Sequence, residues 1–341
     1  MKKLLEVKNL KTHFITREET VKSVDGVSFD VYEGETFGLV GESGCGKSQT
    51  CRSILRLIKK PGKIVDGQIL YKGKDLISMD ERQMRKIRGR EIAAIFQEPM
   101  TSLNPVLKIK KQILEVFDGT DMTAQEKYNR AIDLMKLVGI PAPEQRLEDY
   151  PHQFSGGMRQ RAMIAIALGA NPKLLIADEP TTALDVTIQD QIMSLINDLK
   201  KKLDMSVILV THDMGVIAQM CDRIAIMYAG HIVEMADTVT LFAKPRHPYT
   251  YALMSSIPDP NRAGTVLKTI EGTPPDLGNL PPGCPFAKRC SFKVERCLTE
   301  NPTLAEYETN HLVSCHCMDK TEHFEGIIPV SRISGQEGQA E

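Results

Sequence analysis

Four groups of residues in this 341-residue chain have types and spacing suited to chemistry. The first is Gly41-Glu-Ser43-Gly44-Cys45-Gly46-Lys47-Ser48, with the pattern G-x-x-x-x-G-K-[ST]. Glycines there let the backbone turn tightly and aim successive N–H groups at one point, a place for a polyphosphate. Lys47 would reach the outer phosphates and the Ser48 hydroxyl would sit on Mg²⁺; Gly41, Ser43, Gly44, Cys45, Gly46 and Gln49 complete the candidate nucleotide contacts. The second group is Asp178-Glu179, two carboxylates ending the apolar run Leu174–Ala177. Asp178 is placed to hold Mg²⁺ directly or through water, and Glu179 to orient and polarise a water attacking a γ-phosphate. The third is Ser155-Gly156-Gly157, which opens a helical pattern. It suits an ordinary N-cap, and it suits an anion. One chain with one phosphate loop needs it only if it faces a nucleotide bound by another subunit.

The fourth group is sulfur. Of eight cysteines, Cys284, Cys290, Cys297, Cys315 and Cys317 crowd into one stretch. In a reducing compartment such crowding points to metal more than to disulfides. The first four have the spacing C-x₅-C-x₆-C-x₁₇-C, and four thiolates suit Zn²⁺ or a 4Fe–4S cluster. The gaps are wider than the close pairs usual for structural zinc, which favours the cluster. His316 and Cys317 read as bystanders.

The elements that must position these groups alternate along the chain. Residues 3–10, 27–32 and 36–40 read as short strands, and Tyr32–Glu35 reads as a hairpin turn between antiparallel partners. A helix over 49–58 follows the glycine loop, then a strand over 64–71 and a buried strand over 92–96. From about residue 98 to 170 apolar positions take helical spacing, as in Ile109, Ile113 and Phe117 and in Ala131, Leu134 and Val138. Strands at 173–177 and 207–210 alternate with helices at 186–202 and 213–220, and a hairpin turns at Gly230. The class is α/β, with a largely parallel sheet covered on both faces. Beyond about residue 240 prolines become frequent, and that tail would bury little apolar surface unaided.

Composition sets limits. Apolar content is 42% and the formal net charge is −1, ordinary for a globular chain and without the basic excess of a nucleic-acid binder. No apolar run is long enough to span a membrane, and the N-terminus lacks a signal-peptide core, so a cytoplasmic location is expected.

Together the motifs resemble the ATP-binding subunits of ABC transporters over roughly residues 3–240. Gly41–Ser48 matches the Walker A loop, Leu174–Asp178 with Glu179 Walker B and the catalytic glutamate, and Ser155-Gly156-Gly157 the signature, with Met158 where Gln is commonest. Gln97 matches the Q-loop, Ala183-Leu184-Asp185 the D-loop, and His212 the switch histidine. The resemblance implies that Gln97 reaches Mg²⁺ or the attacking water, that His212 bonds the γ-phosphate, and that Phe14 stacks on adenine. It also implies a P-loop NTPase fold with a mostly parallel core sheet, an antiparallel β subdomain and a helical subdomain. Two such domains would meet head to tail, the signature of one serving the ATP of the other.

Pro245-Arg-His-Pro-Tyr-Thr250 and Gly283-Cys-Pro-Phe-Ala-Lys-Arg-Cys290 resemble the C-terminal region of oligopeptide and dipeptide importer subunits. Nickel importers are close relatives, and a soluble ABC ATPase outside transport is a further alternative. The resemblance implies ATP hydrolysis coupled to peptide uptake at the cytoplasmic face of the membrane. Its partners would be two membrane permease subunits, a second ATPase subunit (a paralogue rather than a copy) and, indirectly, an extracytoplasmic peptide-binding protein, with no nucleic acid. Expected cofactors are ATP, Mg²⁺ and a 4Fe–4S cluster on Cys284, Cys290, Cys297 and Cys315, with Zn²⁺ or unmetallated thiols as the alternatives. Expected boundaries are 1–240 for the ATPase domain, 241–330 for a metal-binding extension and 331–341 for a disordered tail.

Overall fold

The computed structural model describes residues 2–97, 102–182, 184–256, 270–321 and 324; the expected tail 331–341 lies outside them. In chain order the strands are β1 Lys3–Ile15, β2 Thr20–Tyr32, β3 Thr36–Val40, β4 Gly62–Tyr71, β5 Lys74–Asp75, β6 Ile92–Ile95, β7 Leu174–Asp178, β8 Ser206–Thr211, β9 Arg223–Tyr228, β10 His231–Asp237, β11 Ala305–Glu308 and β12 His311–Val313. The principal helices are α1 Lys47–Ile54, α2 Glu81–Ile87, α3 Ile109–Leu114, α4 Ala124–Leu137, α5 Gly156–Leu168, α6 Val186–Leu203, α7 Met214–Met220, α8 Thr238–Ala243 and α9 Pro248–Ser255. They form two compact units, residues 1–77 with 211–341, and residues 78–210.

In the first unit, β1 pairs antiparallel with β2 on one side and β4 on the other. Leu5 and Val7 on β1, with Val27, Phe29 and Val31 on β2, are buried with the period two of strands with one covered face, and a register shift after Val7 returns Leu10 to the buried side. The Tyr32–Glu35 turn is not the expected hairpin. β3 leaves that sheet and pairs parallel with β9. All of β3 is buried, as suits a parallel strand covered on both faces. Glu35 accepts the Tyr32 N–H at 2.7 Å and Arg223 at 3.1 Å, and Asp222 accepts the Thr36 N–H at 2.7 Å. These bonds steer the chain to β9, and Phe29 stacks on Phe37 at 4.9 Å behind the turn. Helix α1 stops at Ile54, short of the expected 58, where Arg56 takes a left-handed φ of 53°.

The β9–β10 hairpin forms as expected, with Gly230 at φ 84°. The proline-rich tail does more than expected: β12 pairs with β10, and β11 with β12. A buried carboxylate organises this join. Glu234 on β10 accepts the backbone N–H groups of Arg246 at 2.7 Å and His247 at 2.9 Å, and His311 Nε2–H at 2.8 Å. The Pro-Arg-His-Pro-Tyr stretch is thereby tied to the sheet. His247 in turn caps α9, its Nδ1 accepting the Tyr249 N–H at 3.0 Å.

The second unit carries β6, β7 and β8 in parallel. The helical insertion forms as its periodicity requires. α4 starts at a capping box of Thr123 and Glu126, and buries Ala131, Leu134 and Met135. Each large apolar side chain so buried contributes about 1.5–3 kcal/mol. Asp185 caps α6 through the Ile188 N–H at 3.0 Å.

Candidate functional site

Within the first unit the glycine loop follows β3 and runs into α1. Gly46, the residue before the helix, has φ 109°, and a Cβ there would collide with the Ser23 carbonyl oxygen. A Cβ on Gly41 would likewise collide with the Met227 carbonyl. Only glycine lets the loop lie this close to β2 and β9. Lys47 is buried, and its Nζ donates to the carbonyls of Gly41 at 2.7 Å and Glu42 at 3.0 Å. The ammonium is thus held across the mouth of the loop, at the positive end of α1. Ser43 and Gly44 are exposed, Ser48 and Gln49 half-buried, and Cys45 buried, with its thiol pushed above its ordinary pKa by burial. A cavity of about 360 Å³ adjoins the loop, walled by Glu42–Cys45, Val21 and Pro274–Leu277. Phe14 lies on β1 against Gly62 of β4 and is half-buried. It is not among the residues lining that cavity. His212 follows β8 and is exposed, while its neighbour Asp213 caps α7 through the N–H groups of Gly215 and Val216.

Within the second unit β7 delivers Asp178, buried, and Glu179, whose φ of 48° turns the chain off the strand. The Glu179 N–H is anchored to the Val210 carbonyl at 2.9 Å. Gln97, just after β6, brings its Nε2 to Glu179 Oε2 at 2.7 Å, and the Thr182 hydroxyl donates to the same oxygen at 2.9 Å. The glutamine and glutamate, 82 residues apart in sequence, thus meet as one group. Ser155 caps α5 through the Met158 N–H at 3.3 Å. Gly157 has a structural reason of its own: a Cβ there would stand 3.0 Å from Ile188 of α6. The same end of α6 shows Val186 to solvent, 76% exposed. Ala183 lies outside the described residues.

The expected metal centre finds less support. Among the described residues no group of three or more His, Cys, Asp or Glu gathers so as to hold a metal ion. The cysteines do pack together, and Cys317 packs among them. It is buried, its Sγ lies 3.7 Å from Cys297 Sγ, its S–H donates to the Phe292 carbonyl at 3.1 Å, and its N–H donates to Cys315 Sγ at 3.3 Å. Burial pushes the thiols of Cys284 and Cys317 up to about 11, and those of Cys290 and Cys315 upward too. Cys297 and Cys317 pack with Ala287 in a small apolar cluster, and Cys284 and Cys315 lie against it.

Three residues at the loop escaped the sequence reading: Glu42, Tyr249 and Arg289. The Glu42 N–H donates to the Tyr249 oxygen at 2.9 Å, and Arg289 binds the Glu42 carboxylate at 2.6 and 2.9 Å. Their only signal was membership of the loop, of His-Pro-Tyr and of the cysteine stretch.

Residues 24–182 match the ABC transporter family, and residues 233–297 the C-terminal region of oligopeptide/dipeptide transporters. The chain is 49% identical over 326 residues to the dipeptide transport ATP-binding protein DppD of Bacillus subtilis (strain 168), covering 95% of this chain and 97% of that protein. It is 51% identical over 314 residues to the oligopeptide transport ATP-binding protein OppD of the same organism, covering 91% and 88%. Among solved structures, the ATP-binding cassette MJ0796, a dimer in a post-hydrolysis state bound to ADP and Pi, superposes with a TM-score of 0.61 at 29% identity. That match covers 69% of this chain and 98% of the cassette.

Proposed function

This chain belongs to the ATP-binding subunits of ABC transporters, in their oligopeptide and dipeptide branch, and we propose from that premise how its residues work. It is the ATP-hydrolysing subunit of a peptide importer, coupling ATP binding and hydrolysis to uptake of di- and oligopeptides. The observation that carries this reading is that identity to dipeptide and oligopeptide transport proteins runs through both the cassette and the C-terminal region. The same continuity disfavours the nickel-importer and non-transport alternatives.

In this reading the Gly41–Ser48 backbone cradles the phosphates and Lys47 draws them in, with Ser43, Gly44, Cys45 and Gln49 lining the cradle. Phe14 stacks on the base. The Ser48 hydroxyl, the Asp178 carboxylate and the Gln97 amide oxygen are hard oxygen donors, the set that Mg²⁺ takes; the Gln97 nitrogen is already committed to Glu179. The bound ion would neutralise phosphate charge. Glu179, oriented by Gln97 and Thr182, accepts the proton of the attacking water, and His212 donates to the γ-phosphate.

Ser155, Gly156 and Gly157 serve the ATP of a second ATPase subunit, a paralogue in the family's peptide branch. The exposed Val186 beside them suits a surface that is covered in a dimer. No helix among the described residues is long and apolar enough to cross a membrane. In this reading the subunit works peripherally on two membrane permease subunits at their cytoplasmic face. An extracytoplasmic binding protein delivers the peptide to those permeases.

A thiolate-bound centre on Cys284, Cys290, Cys297 and Cys315 belongs to the proposal only through donor chemistry, since soft thiolates suit a 4Fe–4S cluster or Zn²⁺. No step of hydrolysis is routed through it. Iron, sulfide and zinc analysis of anaerobically purified protein tests it: about four irons and four sulfides per chain are expected, and metal-free protein overturns it. The ATPase reading is tested by Glu179→Gln, which keeps the shape and removes the base. ATP should remain bound while turnover falls at least about 100-fold; unchanged turnover refutes the assignment.

A further inference from the structure

Two side chains of the C-terminal extension, Tyr249 and Arg289, hydrogen-bond the phosphate loop at Glu42. Every polar group of Glu42 is used. Its N–H donates to the Tyr249 oxygen at 2.9 Å, its carbonyl accepts Lys47 Nζ at 3.0 Å, and its carboxylate takes both arms of the Arg289 guanidinium at 2.6 and 2.9 Å. Arg289 is itself held fast. Its side chain is 5% exposed and lies 5.8 Å from the Tyr228 ring centre and 5.9 Å from that of Phe286. Its Nε donates to the Glu271 carbonyl at 2.9 Å. The turn that carries it is fixed by the Arg289 N–H on the Phe286 carbonyl at 3.0 Å and the Cys284 N–H on the Cys297 carbonyl at 2.8 Å.

A planar guanidinium gripping a carboxylate with both arms fixes orientation as well as distance, which an ammonium does not. The grip is passed on, because the Glu42 carbonyl is one of two that hold the Lys47 ammonium. It also neutralises a carboxylate that stands within the loop meant for a polyanion. We propose that Arg289 is a positioning residue of nucleotide binding. Planted on the cysteine-bearing turn, it holds Glu42, and through Glu42 the Lys47 ammonium, in the geometry that receives the phosphates. The proposal rests on reading Gly41–Ser48 as the phosphate loop.

The test uses the full-length chain, with MgADP affinity by titration calorimetry and steady-state MgATP hydrolysis. R289Q should raise the MgADP Kd and the MgATP KM at least about fivefold while kcat stays within about twofold, because the lost interaction serves binding rather than chemistry. In the E42Q background the same change should cost less than about twofold, the mark of a coupled pair. R289K, with the charge but not the fork, should fall between parent and R289Q. Should R289Q fail to fold, R289K in the two backgrounds reads the same coupling. R296Q, which removes an exposed pair with Glu300, should leave both constants unchanged. An R289Q affinity within twofold of the parent, or equal losses in both backgrounds, overturns the proposal. Lys47→Ala separates the premises: if it binds MgADP as the parent does, the phosphate-loop reading fails first. If it loses binding while R289Q does not, only the role of Arg289 fails.

Discussion

Glu234→Gln should strip stability from the C-terminal extension. Glu234 is fully buried and accepts three hydrogen bonds, two on Oε1 from Arg246 N–H and His311, and one on Oε2 from His247 N–H. A glutamine keeps one oxygen. With that oxygen at the Oε1 position, the amide NH₂ faces the His247 N–H; turned the other way, it faces two donors. At best one charge-assisted bond of about 1.5–3 kcal/mol is lost and one buried N–H is left without an acceptor, at about 1–3 kcal/mol. The loss should total about 3–5 kcal/mol. At about 2–4 °C per kcal/mol, the apparent Tm should fall by about 6–20 °C. Calorimetry of the full chain reads the shift, and hydrogen exchange should place it in residues 245–256 and 305–313. Glu295→Gln, at an exposed position, is the control and should move Tm by less than about 2 °C. A Glu234→Gln midpoint within 2 °C of the parent would refute Glu234 as the organiser of the join.

Acid should act through His247, which burial holds down to about 3 from 6.5. The unfolded chain takes up a proton near pH 6.5 that the folded chain refuses, so this stability is present above pH 6.5 and lost as pH falls toward 3. At pH 5 the loss is about 2 kcal/mol. His231, also lowered by burial, adds in the same direction. His247→Asn keeps an acceptor for the Tyr249 N–H and should flatten the slope of Tm between pH 6.5 and 5; an unchanged slope would assign the loss elsewhere. Gly46→Ala should abolish MgADP binding in calorimetry, since the added Cβ meets the Ser23 carbonyl and the residue sits at φ 109°. Retained binding would mean that the loop tolerates what its geometry forbids.

Local rules made the chemistry legible. The apolar run before Gly41, the glycines and Lys47-Ser48 announced a strand, loop and helix, and the β7 run ending in Asp178-Glu179 announced a strand end with acids. Gly230 marked a true hairpin. The Tyr32–Glu35 turn misled because a turn signal does not say which sheet comes next; that choice is made by Arg223 and Asp222, almost 190 residues away. β11 and β12 are short, and β11 is largely exposed, so no periodicity betrayed them. Their place is set by His311 reaching Glu234 across 77 residues. Cys317 looked idle by spacing, yet the fold buries it against Cys297. The Arg289 grip on Glu42 joins positions 247 residues apart and could not be seen from either one.

The most direct measurement is uptake of a labelled tripeptide by vesicles carrying this chain with the membrane permease subunits, second ATPase subunit and peptide-binding protein proposed for it. Uptake should require MgATP and fall to background when this chain carries Glu179→Gln. ATP-independent uptake, or full uptake by the Glu179→Gln assembly, would contradict the assignment of this chain as the hydrolysing subunit of a peptide importer.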